Sequence, residues 1–133
     1  MTDSTIQTFM TAAPHTIGRD QPLSAAKDLM TRYGVRHLPV LEGGQLVGVV
    51  SERDLAFIGA VRDIEADELT VGEAMSSEVY TVGSNESLQT VAANMARHRY
   101  GSAVVVDDNK VVGVFTTVDA LQALQTLLAA GAP

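Results

Sequence analysis

Two stretches of this 133-residue chain carry the side chains best suited to chemistry, Gly48-Val49-Val50-Ser51-Glu52-Arg53-Asp54 and Gly113-Val114-Phe115-Thr116-Thr117-Val118-Asp119, and they stand 65 residues apart. Each reads as a short apolar strand that ends in a hydroxyl residue and turns into a helix. Ser51 and Thr116 fall where an N-cap belongs, with an acid three residues later, which is the spacing of a capping box. In that reading the hydroxyl and the carboxylate only satisfy free N–H groups of the helix. The same arrangement also offers binding chemistry. A helix N-terminus presents unpaired N–H groups at the positive end of a dipole, and these attract phosphate. A carboxylate one turn in can accept hydrogen bonds from two adjacent hydroxyls, as a ribose offers. Two such termini in one small chain point to a nucleotide binder.

Other chemistries find little support. His15, His37 and His98 are far apart and lack metal-ligand spacing, so no metal site is expected. His37 and Ser51 have no third orienting residue placed by the sequence, which leaves nucleophilic catalysis without a triad. Neither a Gly-x-x-x-x-Gly-Lys-Ser/Thr loop nor a Gly-x-Gly-x-x-Gly fingerprint occurs. Met10, Met30, Met75 and Met95 recur with the repeat and are read as core. No enzymatic activity is expected.

Composition narrows the class further. Hydrophobic residues make up 46%, enough to bury a core, but aromatics are only 5%, so Val, Ala and Leu carry the packing. A formal charge of −7 argues against a nucleic-acid partner, which would need a basic stripe to release counterions. With no Cys, disulfides and thiolate chemistry are excluded. Met1-Thr2-Asp3-Ser4 lacks the basic-then-apolar run of a signal peptide, and no apolar run approaches a membrane span. The expectation is a soluble cytoplasmic protein.

The elements that position the two motifs repeat at the same offset. Met10 pairs with Met75, Thr16 with Thr81, Gly18 with Gly83, Leu23 with Leu88, Met30 with Met95, Arg32 with Arg97, Val40 with Val105 and Val47 with Val112. A count of two is too low for a solenoid and predicts a pseudo-twofold pair sharing one core. In the first copy, residues 15–17 read as a strand, and Pro22 opens a helix with Leu23, Ala26, Met30 and Tyr33 on its apolar face. Gly34 ends it, and residues 37–41 and 45–50 form a hairpin across Gly43-Gly44. The helix after Ser51 turns Leu55, Ile58 and Val61 inward. The second copy repeats this plan with a strand at 79–82, a helix at 87–98 on Leu88, Val91 and Met95, and a hairpin of 102–106 with 111–115. Its last helix carries Leu121, Leu124, Leu127 and Leu128 to about Ala129. Asp63, Glu65, Asp67 and Glu68 mark a solvated linker, and residues 1–5 and 131–133 are expected to fray.

The order strand–helix–strand–strand–helix, with Gly-h-h-Ser/Thr-x-x-Asp at its last junction, resembles a tandem pair of cystathionine-beta-synthase (CBS) domains over residues 7–128. Arg36-His37-Leu38-Pro39-Val40 looks like that family's second-strand motif, and the Met10 and Met75 segments look like its opening motif. The resemblance implies an α/β (α+β) fold of two β-α-β-β-α repeats, at 7–61 and 72–128, joined by a linker at 62–71. It also implies two clefts for adenosyl ligands: AMP, ADP, ATP, S-adenosylmethionine or NAD. Carried over, one cleft takes Ser51, Arg53 and Asp54 with Glu78, Tyr100, Gly101 and Ser102. The other takes Thr116 and Asp119 with Thr8, Ala13, Val35, Arg36 and His37. The Asp holds ribose hydroxyls, the Ser or Thr touches phosphate, and apolar strand residues flank adenine. The copies differ, with Val118 at the place of Arg53 and Ala103-Val104 at the place of Leu38-Pro39. The expected protein is a stand-alone regulatory module, homodimeric, needing no cofactor beyond its adenine-nucleotide ligand and acting on a regulated protein in trans. The alternative is a purely structural dimerisation module with vestigial clefts.

Overall fold

The computed structural model of the chain describes residues 4–62 and 68–131. Its elements run α1 Ile6–Phe9, β1 Thr11–Ala12, β2 Ile17–Gly18, α2 Leu23–Tyr33, β3 His37–Glu42, β4 Gln45–Ser51 and α3 Glu52–Arg62. They continue as α4 Val71–Ala74, β5 Thr81–Val82, α5 Leu88–His98, β6 Ser102–Asp107, β7 Lys110–Thr116 and α6 Thr117–Gly131. The two β-α-β-β-α repeats are thus both present, and the fold is mixed α/β with two sheets. Asp63, Glu65, Asp67 and the side chain of Val61 lie outside the described residues, as do the expected frayed ends at 1–3 and 132–133.

The chain divides into two compact units, and the division does not follow the repeats. One unit is His15–Val79; the other combines Met1–Pro14 with Tyr80–Pro133. Each repeat therefore gives its lead segment away.

In the unit His15–Val79, β3 pairs with β2 in parallel and with β4 antiparallel. Gly34 closes α2 in the left-handed conformation and lets the chain turn back into β3. Leu23, Ala26 and Met30 meet Leu38, Val40 and Val50 in the core, as helical and strand periodicities require. Leu69 and Val71 complete that core from the chain beyond α3. They are held by Leu23 N–H donating to the Leu69 carbonyl and Val71 N–H to the Gln21 carbonyl, both at 2.8 Å. Tyr33 departs from the expected apolar face. It is exposed and stacks on His15 with ring centroids 3.7 Å apart, because it lies at the helix end beyond the core.

The unit of Met1–Pro14 and Tyr80–Pro133 has a four-stranded sheet in the order β1-β7-β6-β5. Its core joins Leu88, Val91 and Met95 of α5 to Ala103, Val105 and Phe115, with Ala123 from α6. Ile6 of α1 is fully buried in the same core. Ser4 and Thr5, expected to fray, are tied down: Leu88 N–H donates to the Ser4 carbonyl at 2.9 Å, and Thr5 bridges Ser87. Asp108 and Asn109 take up the left-handed turn conformation at φ 51° and 64°, where the first repeat uses Gly43 and Gly44.

Two residues show how closely the lead segments approach the sheets. A methyl group on Gly48 would come within 2.5 Å of Met75 Sδ and 2.7 Å of the Ser76 carbonyl. One on Gly113 would collide with the thioether of Met10. The glycines therefore leave room for the methionine packed across each hairpin, which is why both recur at the same offset.

Candidate ligand site at the two strand–helix junctions

The first junction lies where β4 passes into α3. Ser51 N–H donates to Asp54 Oδ2 at 2.8 Å, and Asp54 N–H donates to Ser51 Oγ at 3.1 Å. The capping box read from the spacing is therefore formed, and it occupies one carboxylate oxygen. Among the described residues no donor reaches Asp54 Oδ1, on a side chain that is half-buried. Antiparallel register sets His37 opposite Ser51, and Glu52 N–H donates to the Arg36 carbonyl at 2.9 Å. Arg36 and Arg53 are exposed beside this junction, and Val35 is half-buried. Burial holds the His37 imidazole below its ordinary pKa; Asp54 and Glu52 pull it up, and Arg36 pushes it down. The charged form of His37 is therefore disfavoured relative to an ordinary histidine.

The second junction repeats the first with one addition. Thr116 N–H donates to Asp119 Oδ2 at 2.9 Å, and Asp119 N–H donates to Thr116 Oγ1 at 3.4 Å. Thr116 Oγ1 also lies 3.2 Å from Asp119 Oδ2. Asp119 is buried, and its Oδ1 accepts a hydrogen bond from Thr11 Oγ1 at 3.0 Å. Ser102 sits opposite Thr116 in the register. Ala13 holds φ at 49°, an unusual value for alanine, while its N–H donates to the Val112 carbonyl at 3.1 Å. Beyond Gly101, Tyr100 packs near His98 and Tyr80 with ring centroids 5.2 Å and 5.1 Å away.

The grouping implied by the resemblance crosses the units. Val35, Arg36, His37, Ser51, Arg53, Asp54 and Glu78 belong to one unit; Thr8, Ala13, Tyr100, Gly101, Ser102, Thr116 and Asp119 belong to the other. Within a unit, register places His37 by Ser51 and Ser102 by Thr116. Glu78 and Thr8 are exposed, and neither side chain hydrogen-bonds a junction residue. Thr11 was not among the expected site residues. Its signal is faint: a hydroxyl next to Met10, matched by Ser76 next to Met75. Among the described residues no group of three His, Asp or Glu side chains is placed to hold a metal ion, and no helix is long and apolar enough to cross a membrane.

Comparison with known proteins identifies the family. The sequence profile of the CBS domain matches residues 6–59 and again 71–126, so the chain belongs to the CBS domain family and carries a tandem pair. The crystal structure of a Vibrio cholerae protein described as an acetoin utilization protein (AcuB) is similar over 96% of this chain and 95% of its own, with 31% identity and a TM-score of 0.86. The CBS domain pair of protein MJ0100, solved in complex with 5′-methylthioadenosine and S-adenosyl-L-methionine, covers 91% of this chain and 99% of its own at 25% identity and a TM-score of 0.82. A homoserine O-acetyltransferase from Methanocorpusculum labreanum is 32% identical over 119 residues, but the chain spans only 23% of that relative's length.

Proposed function

We propose that this protein is a regulatory module that binds an adenosyl ligand at its strand–helix junctions and passes the signal to a partner protein in the cytoplasm. The observation that carries the reading is Asp54, a half-buried carboxylate at a helix N-terminus with one oxygen held in the cap and the other open. An open carboxylate oxygen at the N-terminus of a helix suits a ribose diol, and exposed Arg53 and Arg36 supply cations for phosphate. The ligands of the MJ0100 pair support an adenosyl group as the shared element. AMP, ADP, ATP, S-adenosylmethionine and NAD are the candidates. A thermal shift scan across these ligands tests the reading, since a ligand bound only by the folded state stabilises it by RT ln(1 + [L]/Kd). No shift with any of them at millimolar concentration would sink it.

A second reading, a structural dimerisation module, is favoured by the apolar face of α6. Leu121, Leu124 and Leu128 are 65%, 52% and 64% exposed, on one side of a helix whose buried residues are Asp119 and Ala123. A stripe of that kind usually finds a partner surface, and a homodimer is compatible with either function.

A further inference from the structure

The two junctions are built to the same plan but are not in the same state. We propose that Thr11 is a built-in occupant of the Asp119 carboxylate, which makes it the residue that sets ligand specificity at that junction. Asp54 would take a ribosyl diol directly, whereas Asp119 would take one only when Thr11 gives up its hydrogen bond. The inference rests on reading both junctions as adenosyl sites.

The contrast comes from the repeat itself. Thr11 and Ser76 are equivalent by the 65-residue offset, and both carry a hydroxyl. Thr11 lies in a two-residue strand, with Thr11 opposite Val114 and Ala12 opposite Gly113. The pairing continues one residue further, where Ala13 N–H reaches the Val112 carbonyl at the cost of a left-handed backbone. This holds the Thr11 hydroxyl 3.0 Å from Asp119 Oδ1. Ser76 makes only a single bridge, to Val49, and its hydroxyl turns to the Glu78 carbonyl at 3.4 Å. Glu78, the counterpart of Ala13, is not in the left-handed region. One lead segment is thus pinned so that its hydroxyl satisfies the acid, and the other is not.

A hydroxyl donating to a carboxylate is what each ribose hydroxyl would do on binding. Thr11 therefore competes with the diol for the same lone pairs. A ligand that draws less on the diol loses less to this competition, so the Asp119 junction should tolerate a missing ribose hydroxyl better than the Asp54 junction does.

The test titrates adenosine and 2′-deoxyadenosine calorimetrically into the full chain. Asp54→Ala leaves the Asp119 junction as the measured one, and there the two probes should bind within about twofold of each other. Adding Thr11→Val keeps the strand-forming shape and removes the hydroxyl. Adenosine should then bind about tenfold more tightly, the weight of one hydrogen bond to a charged group, while 2′-deoxyadenosine changes by less than about twofold. Adding Thr11→Ser instead restores the hydroxyl and should return both affinities to those of Asp54→Ala alone. An unchanged or weaker adenosine affinity in the Val variant overturns the proposal, as does a Ser variant that binds as tightly as Val. Should the Val variant melt below the assay temperature, Thr11→Ala in the same background gives the same comparison. If the unmodified chain binds adenosine but the Thr11 variants show no gain, this proposal fails alone. If the unmodified chain binds neither adenosine nor AMP, the adenosyl reading fails with it.

Discussion

In the proposed reading Asp54 serves the fold and the ligand with different oxygens, so the two roles separate experimentally. Asp54→Ala should remove the bond accepted from Ser51 N–H, while the backbone N–H of residue 54 keeps its bond to Ser51 Oγ, and cost about 0.5–2 kcal/mol of stability. It should weaken adenosyl binding by about 1.5–3 kcal/mol, the range for hydrogen bonds to a charged group. Calorimetry and a melt on the same variant compare the two, and normal binding with a much lower melting temperature would leave only the capping role. Arg53 and Arg36 lie exposed by the same junction. Arg53→Ala should weaken AMP binding severalfold more than adenosine binding, because an arginine on the first turn of α3 faces phosphate; a larger loss for Arg36→Ala would show that the cation comes from β3's approach instead. His37 gives the junction a pH response. Its folded pKa is lowered by burial, so between that value and the unfolded value near 6.5 the unfolded chain binds more protons. Stability should therefore rise with pH through this window and fall as the pH drops through it. His37→Gln should flatten the slope of melting temperature against pH below about 6.5; an unchanged slope would place the titrating group elsewhere. The Ser/Thr–Asp pairs were legible in the sequence because cap partners sit three residues apart. Thr11 was not, since its partner is Asp119, far along the chain, and no local pattern links them.

At the scale of elements, the hairpins and the long helices followed from period and turn residues, since Gly43-Gly44 and the 3.6-residue spacing of Leu23, Ala26 and Met30 are local signals. The short helices α1 and α4 were not foreseen. They have four residues each, too few for a periodic face, and their single buried side chains, Ile6 and Val71, reveal them only through tertiary packing. Their weight can be measured. Ile6→Ala should cost about 2–5 kcal/mol, comparable to a central core residue despite its place six residues from the start of the chain. A cost under 1 kcal/mol in a denaturant titration would show that α1 merely lies on the surface. Gly48→Ala and Gly113→Ala should each destabilise by about 1–3 kcal/mol, because the new methyl group meets a methionine thioether and, at Gly48, a backbone carbonyl as well. Pairing Gly113→Ala with Met10→Ala should recover part of the loss, while Gly48→Ala with Met75→Ala should recover less, since the Ser76 carbonyl cannot withdraw.

For the whole molecule, the exposed leucines of α6 predict self-association: sedimentation at tens of micromolar should show a dimer, and Leu121→Glu with Leu128→Glu should shift it to monomer with little change in fold. A clean monomer of the unmodified chain would end this expectation. The twofold repeat was visible in the sequence as one offset, but the boundaries of the units were not. Sequence similarity marks what was duplicated, whereas Ile6 and Leu69 belong to cores assembled from both sides of the duplication. That exchange bears on how such a chain could have arisen. An ancestor of one repeat would possess a core with an empty socket and a lead segment with nowhere of its own to go. Two copies of it could satisfy each other by trading leads, as strangers shake hands, before any gene joined them. Fusion would then have turned a concentration-dependent handshake into an intramolecular one. The chain cut in its middle should retrace that history: residues 1–65 and 66–133 should each remain largely unfolded alone and regain the native circular dichroism spectrum when mixed, with a midpoint that depends on concentration.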